Sequence, residues 1–306
     1  METQTQKRTV EGIVKEYATP LSIVAAGVLI AMTMYYGPSG SGRGVVAATN
    51  NPDQLQESVI PAAGVVLPIT WGDLGAKMVE VGAIDPAKMA ALYKDRGGFP
   101  VEFEKMLEKN ANDKIVITNQ NAPYLLNLLW ALGLANKNEI LEDKNEMMNP
   151  AYKGAGNFAS TGGWILAKGN PMDHYNMHSL VTLTADQQAI VDRVSRNIFR
   201  PCCGNSTHFP DCNHGMAMLG LLELMASQGV SERDMYKAAL AVNSYWFPET
   251  YLTIATYMQQ QKGVAWKDVS PKEMLSAPYS SSSGYQDITS KVKQLPQAQS
   301  GGGCSA

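Results

Sequence analysis

Residues 121–134, NAPYLLNLLWALGL, open with Asn121 and Pro123 and then run almost entirely through apolar side chains. Asn followed by Pro is a helix-start signal, and an apolar surface all round belongs to a buried helix, so this stretch predicts the central core helix of the first half. Upstream, Asp85 and Pro86 form a cap and first-turn pair for a helix through Tyr93, and PVEFEKMLEK starts another at Pro100. Downstream, Thr184 with Gln187 makes a capping-box pattern, and Ile190, Val194 and Ile198 line one face of a helix that ends near Phe199. Pro201 stops it. A further helix runs from Asn213 to Gln228, closed by Gly229, and Ser231 caps another that ends before Pro248. Alternating strand patterns are scarce, so the expected class is mainly α.

The N-terminus reads differently. No charged residue occurs between Tyr17 and Gly42, and the segment PLSIVAAGVLIAMTMYY is close to the minimum that crosses a bilayer of about 30 Å. It is also longer than most signal-peptide cores, which favours an uncleaved anchor. Lys7, Arg8 and Lys15 precede the run and Arg43 follows it, so the excess of positive charge keeps the N-terminus inside. The expected layout is a cytoplasmic N-terminus (1–18), a single transmembrane helix (19–37) and a linker (38–58). Beyond these come a helical subdomain (59–150), a Cys/His-containing helical domain (151–278) and a flexible tail (279–306). The boundary near 150 is drawn at the Gly/Asn-rich stretch NPAYKGAGNFASTGGW. The body then faces the periplasm or the exterior, anchored to the cytoplasmic membrane.

With 306 residues, a formal net charge of −3 and basic and acidic residues interspersed, the chain lacks the electrostatic footprint of a nucleic-acid binder. Phosphate loops, dinucleotide fingerprints, GxSxG elbows and HExxH helices are missing from the sequence.

The informative chemistry is local. All four histidines, His174, His178, His208 and His214, and three of the four cysteines, Cys202, Cys203 and Cys212, lie between residues 174 and 214. Met172, Met177, Met216 and Met218 flank them, adding soft thioethers. Thiolate and imidazole together suit zinc, copper or iron rather than calcium or magnesium. His214 is expected at the start of a helix capped by Asp211 or Asn213, and His174 and His178 share a face if HYNMH is helical. A competing reading pairs Cys202 or Cys203 with Cys212 as a disulfide, worth about 2–3 kcal/mol in the chain-entropy model. That accounts for the cysteines and leaves four histidines unexplained. A third reading lets the disulfide prop up a histidine site. Haem is less favoured because the C-x-x-C-H attachment pattern is missing. Glu223 is a candidate for orienting a ligand histidine or for an ion pair at the core edge. Cys304 stands apart near the C-terminus.

The segment Pro201-Cys202-Cys203-Gly204, with His208 and then Asp211-Cys212, resembles bacterial exported lipoproteins that carry a Pro-Cys-Tyr-Cys-Gly-Cys motif followed by Gly-His and Asp-Cys. One motif cysteine and the N-terminal lipobox cysteine are missing here. The resemblance implies an exported Cys/His site. The function expected from the sequence is therefore transition-metal binding, with copper or zinc as the ion, in metal handling or electron transfer at the outer face of the cytoplasmic membrane. The alternatives are a disulfide-stapled scaffolding subunit of a membrane complex, with partner proteins, and a metalloenzyme.

Overall fold

A computed structural model of the chain describes residues 51–108, 111–293 and 295–296. The expected anchor at 19–37 and Cys304 lie outside them, and among the described residues no helix is long and apolar enough to cross a membrane. The elements run α1 (Pro52–Val59), β1 (Val65–Gly72), α2 (Leu74–Glu80), α3 (Pro86–Tyr93), α4 (Val101–Glu108), β2 (Ala111–Ile117) and α5 (Ala122–Ala135). Then follow α6 (Ala185–Ser195), α7 (Asn213–Ser227), α8 (Glu232–Trp246), α9 (Pro248–Tyr257), α10 (Pro271–Met274), α11 (Ala277–Ser280) and α12 (Ser282–Lys291). The class is mainly α.

Local chemistry explains most helix starts. Asp85 accepts from the amides of Ala87 and Lys88, Thr184 and Gln187 close a full capping box, and Ser231 accepts from Asp234. The helix α6 ends at Ser195, four residues before the expected stop, and irregular turns carry the chain on to Pro201.

The core is organised on α5 and α7, the most extensive helix–helix contact among the described residues. Both are buried on nearly every face. They approach until a Cβ on Gly133 would stand 2.1 Å from the Met216 carbonyl oxygen, and one on Gly220 would stand 2.4 Å from that of Leu129. Only two glycines facing each other permit that crossing.

Three expectations need correction. The segments 59–150 and 151–278 are not separate domains among the described residues, because α5 and α7 come one from each and pack together in a single compact unit. The Gly/Asn-rich stretch between them is itself packed, with Ser160, Thr161 and Trp164 buried. The end of the expected linker is helical, since Asn51 caps α1. The start of the expected tail forms α12, capped by Ser281 and held by buried Ile288 and Val292. A pair of strands was also not expected: β1 and β2 run antiparallel, with Val65 opposite Ile117, although three helices separate them in sequence.

The glycine crossing yields the first prediction. At an exposed helical site Gly→Ala stabilises by about 1 kcal/mol; here Gly133→Ala or Gly220→Ala should instead destabilise by about 1–3 kcal/mol through overpacking against backbone. A lower urea midpoint with an unchanged slope is the expected result.

Candidate metal centre

The loop between α6 and α7 is built around a buried cation. Arg200 is 1% exposed, and a guanidinium in that position must satisfy its donors within the protein. It donates from Nε to Cys212 Sγ at 2.8 Å, to the carbonyls of Asn205 and Phe209 at 3.1 and 3.0 Å, and to Asp211 Oδ1 at 2.6 Å. Its flat face lies on Gly215, where a Cβ would stand 2.5 Å from the guanidinium carbon. Asn205 also donates to Asp211 Oδ2 at 2.8 Å, tying the loop to itself.

This arrangement gathers the three sulfurs. The ligand atoms of Cys202, Cys203 and Cys212 all lie within 4.8 Å of one another. Cys202 and Cys212 are 3.5 Å apart, and Cys203 Sγ lies 3.8 Å from Asp211 Oδ1. All three are free thiols in this structure, with Cys202 exposed and the others half-buried. Cys212, rather than Asp211 or Asn213, is the N-cap of α7, its sulfur accepting from the Gly215 amide at 3.4 Å.

The electrostatics divide the sulfurs unequally. Hydrogen bonds from Cys202 and Cys203, and then the charge of Arg200, hold the Cys212 thiol well below the ordinary range, which makes it the most acidic of the three sulfurs. Cys202 is pushed up because it donates to its two neighbours. The Cys202 contact favours the Cys203 thiolate, but Cys212 and burial outweigh it and push Cys203 up to about 11. Arg200 stays charged: burial opposes its charge, and Cys212, Cys203 and Asp211 more than offset that.

The histidines are distributed elsewhere. His214 stands in the first turn of α7, buried against Phe247 at 4.4 Å between ring centroids, and its Nδ1 has no hydrogen-bond partner. It feels the charges of Cys212 and Arg200 but does not join the sulfur group. His208 is buried and its nitrogens meet carboxylates, Nδ1 with Glu146 Oε2 at 2.5 Å and Nε2 with Asp192 Oδ1 at 3.0 Å. Burial opposes its charge, yet these carboxylates raise its pKa. His174 and His178 do meet, Nδ1 to Nε2 at 3.2 Å, through a turn rather than a helix, with Asn176 in the left-handed region at φ 58°. His174 Nε2 is satisfied by the Lys168 carbonyl at 2.8 Å, so both nitrogens of that ring are used within the protein. Met216 and Met218 belong to the core, while Met177 is exposed.

Among the described residues Glu223 has asparagines, not a cation or a histidine, as its hydrogen-bonding neighbours. It is fully buried on α7, with Oε1 accepting from Asn138 Nδ2 at 2.6 Å and Oε2 unpartnered. Burial raises its pKa well above the carboxylate range, leaving it a neutral acid.

Sequence reasoning missed Arg200, the residue that organises the sulfurs, and the carboxylates Glu146, Asp143 and Asp192 around His208. Only the arginine beside Pro201 carried a local hint.

Two pH predictions follow from these burials. Burial lowers the His214 pKa to about 4, below the unfolded value, so its contribution to stability is present at neutral pH and is lost as pH falls from about 6.5 through 4. The loss between pH 6.5 and 5 should be about 1.5 kcal/mol, the slope approaching 1.36 kcal/mol per unit only below the unfolded pKa, and His214→Phe should flatten that limb in urea titrations. His208, raised instead, acts in the opposite sense and loses its contribution as pH rises. For Glu223, unfolding releases a proton above the ordinary carboxylate pKa, so stability declines as pH rises. Glu223→Gln should therefore raise the melting temperature at pH 7 and leave it unchanged or lower near pH 4.

No protein-family model, curated protein or solved structure matches the chain, so its chemistry has to be read from the site itself.

Proposed function

We propose that this chain binds a soft transition-metal ion, copper(I) or zinc, through Cys202, Cys203 and Cys212, and that it serves metal handling. The N-terminal apolar run supports a place at the outer face of a membrane, where the resemblance to exported lipoproteins also points.

The observation that carries this reading is the spacing of the sulfurs. Thiolates bound to one zinc at about 2.3 Å in tetrahedral geometry sit ~3.8 Å apart, whereas a disulfide requires about 2.05 Å. Cys202 and Cys212 are 3.5 Å apart and the whole group lies within 4.8 Å, so an ion can be seated with small side-chain rotations. The charges also suit an ion. Three thiolates facing a divalent cation leave one negative charge, and Arg200 stands in contact with Cys212 to offset it. Exposed Cys202 places one edge of the group at the surface, where zinc would keep an open fourth position and copper(I) would need none. The histidines contribute no ligand in this reading; His214 is the nearest in sequence and stays neutral.

A disulfide-stapled scaffolding role draws on the same approach of Cys202 to Cys212. Metal analysis separates the two. Protein purified under reducing conditions should hold about one ion per chain, and cobalt(II) substitution should produce sulfur-to-metal charge-transfer absorption in the near ultraviolet. Both should be lost in Cys212→Ser. Fully folded metal-free protein without the cobalt band, together with a Cys202–Cys212 linkage by mass mapping, would overturn the metal reading in favour of the staple.

A further inference from the structure

We propose that the chain carries a second cation site, made of nitrogen and oxygen rather than sulfur, in which His208, Glu146 and Asp143 hold a divalent ion of the manganese–iron–zinc class. It is independent of the thiol site.

The imidazole is set rigidly before any ligand is considered. Thr207 is buried, and its amide and hydroxyl both donate to the Ile198 carbonyl, at 2.7 and 3.1 Å. That pins the backbone just before His208 and fixes the ring, which is 2% exposed. On its Nε2 side stands Asp192 Oδ1, and Asp192 is itself held by a two-point fork from Arg196, Nε to Oδ2 at 3.1 Å and a terminal nitrogen to Oδ1 at 2.9 Å. A carboxylate so placed receives the Nε2 proton and turns the other lone pair outward, which is how metal-ligating histidines are oriented.

The other nitrogen, Nδ1, faces Glu146 Oε2 at 2.5 Å across a proton that an arriving cation would displace, and Asp143 offers a third donor atom within 4.8 Å of both. A proton shared between His208 and Glu146 would satisfy those two groups, and Asp143, whose Oδ1 accepts from the Asn145 amide at 2.8 Å, keeps a second oxygen to offer. A cation engages all three. Cis donors on an ion with bonds of about 2.1 Å sit ~3 Å apart, so the flexible Glu146 side chain need retreat by only a few tenths of an ångström. The surroundings favour cations as well. The site opens on a groove of about 830 Å³ whose wall carries Glu139, Glu142, Asp143 and Asp192. The two arginines on that wall are already engaged, Arg193 with Glu232 and Arg196 with Asp192. An acidic mouth raises the local concentration of cations, and the open groove leaves room for water or an oxygen ligand to complete the coordination shell. Carboxylate and imidazole donors select ions that soft thiolates do not retain, manganese(II) above all.

Manganese(II) is therefore the probe. The full-length reduced protein, titrated with manganese(II) and followed by the loss of the free-ion electron paramagnetic resonance signal, should bind one ion per chain saturably. Asp143→Asn and Glu146→Gln should each weaken binding by about tenfold or more, with melting temperatures in the apo state close to the parent's. His208→Gln alters a buried side chain, so the two carboxylate variants carry the test. Cys212→Ser should retain manganese(II) while losing the cobalt–thiolate band, which keeps the fate of this site separate from that of the sulfur site. Absence of saturable binding at millimolar manganese(II), or unchanged affinity in both carboxylate variants, would overturn the proposal and leave His208 as the centre of a closed proton clamp.

Discussion

The rest of the molecule depends on the crossing of α5 and α7 at Gly133 and Gly220. Because backbone meets backbone there, α7 is fixed in depth and in rotation, and little freedom remains to slide along its axis. That single placement determines what the two ends of α7 meet. Its first turn carries Cys212 and His214 into the loop organised by Arg200. Further along, Glu223 is delivered to Asn138, which follows directly from the C-terminal end of α5.

Around that fixed helix, polar satisfaction rather than apolar packing shapes the 200–212 loop. A guanidinium removed from water requires acceptors, and the chain supplies two carbonyls, one carboxylate and one sulfur, all within twelve residues of Arg200 in sequence. Folding the loop onto the arginine brings Cys212 beneath the exposed Cys202 and its neighbour. The sulfurs converge because the cation does not tolerate a looser arrangement.

What could be read from the sequence was what is decided locally. The caps at Asp85, Thr184 and Ser231 are written within four residues and fold as written. The apolar runs of α5 and α7 are long enough to announce buried helices. The pairing of β1 with β2 was hidden because the strands meet across three intervening helices, so no short-range pattern records it. The serine-rich stretch after Pro278 looks like a tail, yet two buried aliphatic side chains and the Ser281 cap suffice to dock α12. At the site, the nearness of Cys202, Cys203, Cys212 and His208 in sequence says nothing of direction: the imidazole meets Glu146 and Asp192 while the sulfurs meet Arg200. Carboxylates reaching His208 from 62 and 16 residues away leave no spacing signature.

The sulfur cap on α7 has a consequence for how readily the thiol chemistry can begin. The positive end of a fifteen-residue helix and a sequestered guanidinium converge on one sulfur atom. Folding therefore makes this sulfur the most acidic of the three, and an arriving electrophile or cation meets it first. Seating an ion among all three sulfurs then draws its protons from Cys202 and Cys203, whose thiols are held high, so the acidity dependence of binding is set by those two rather than by Cys212.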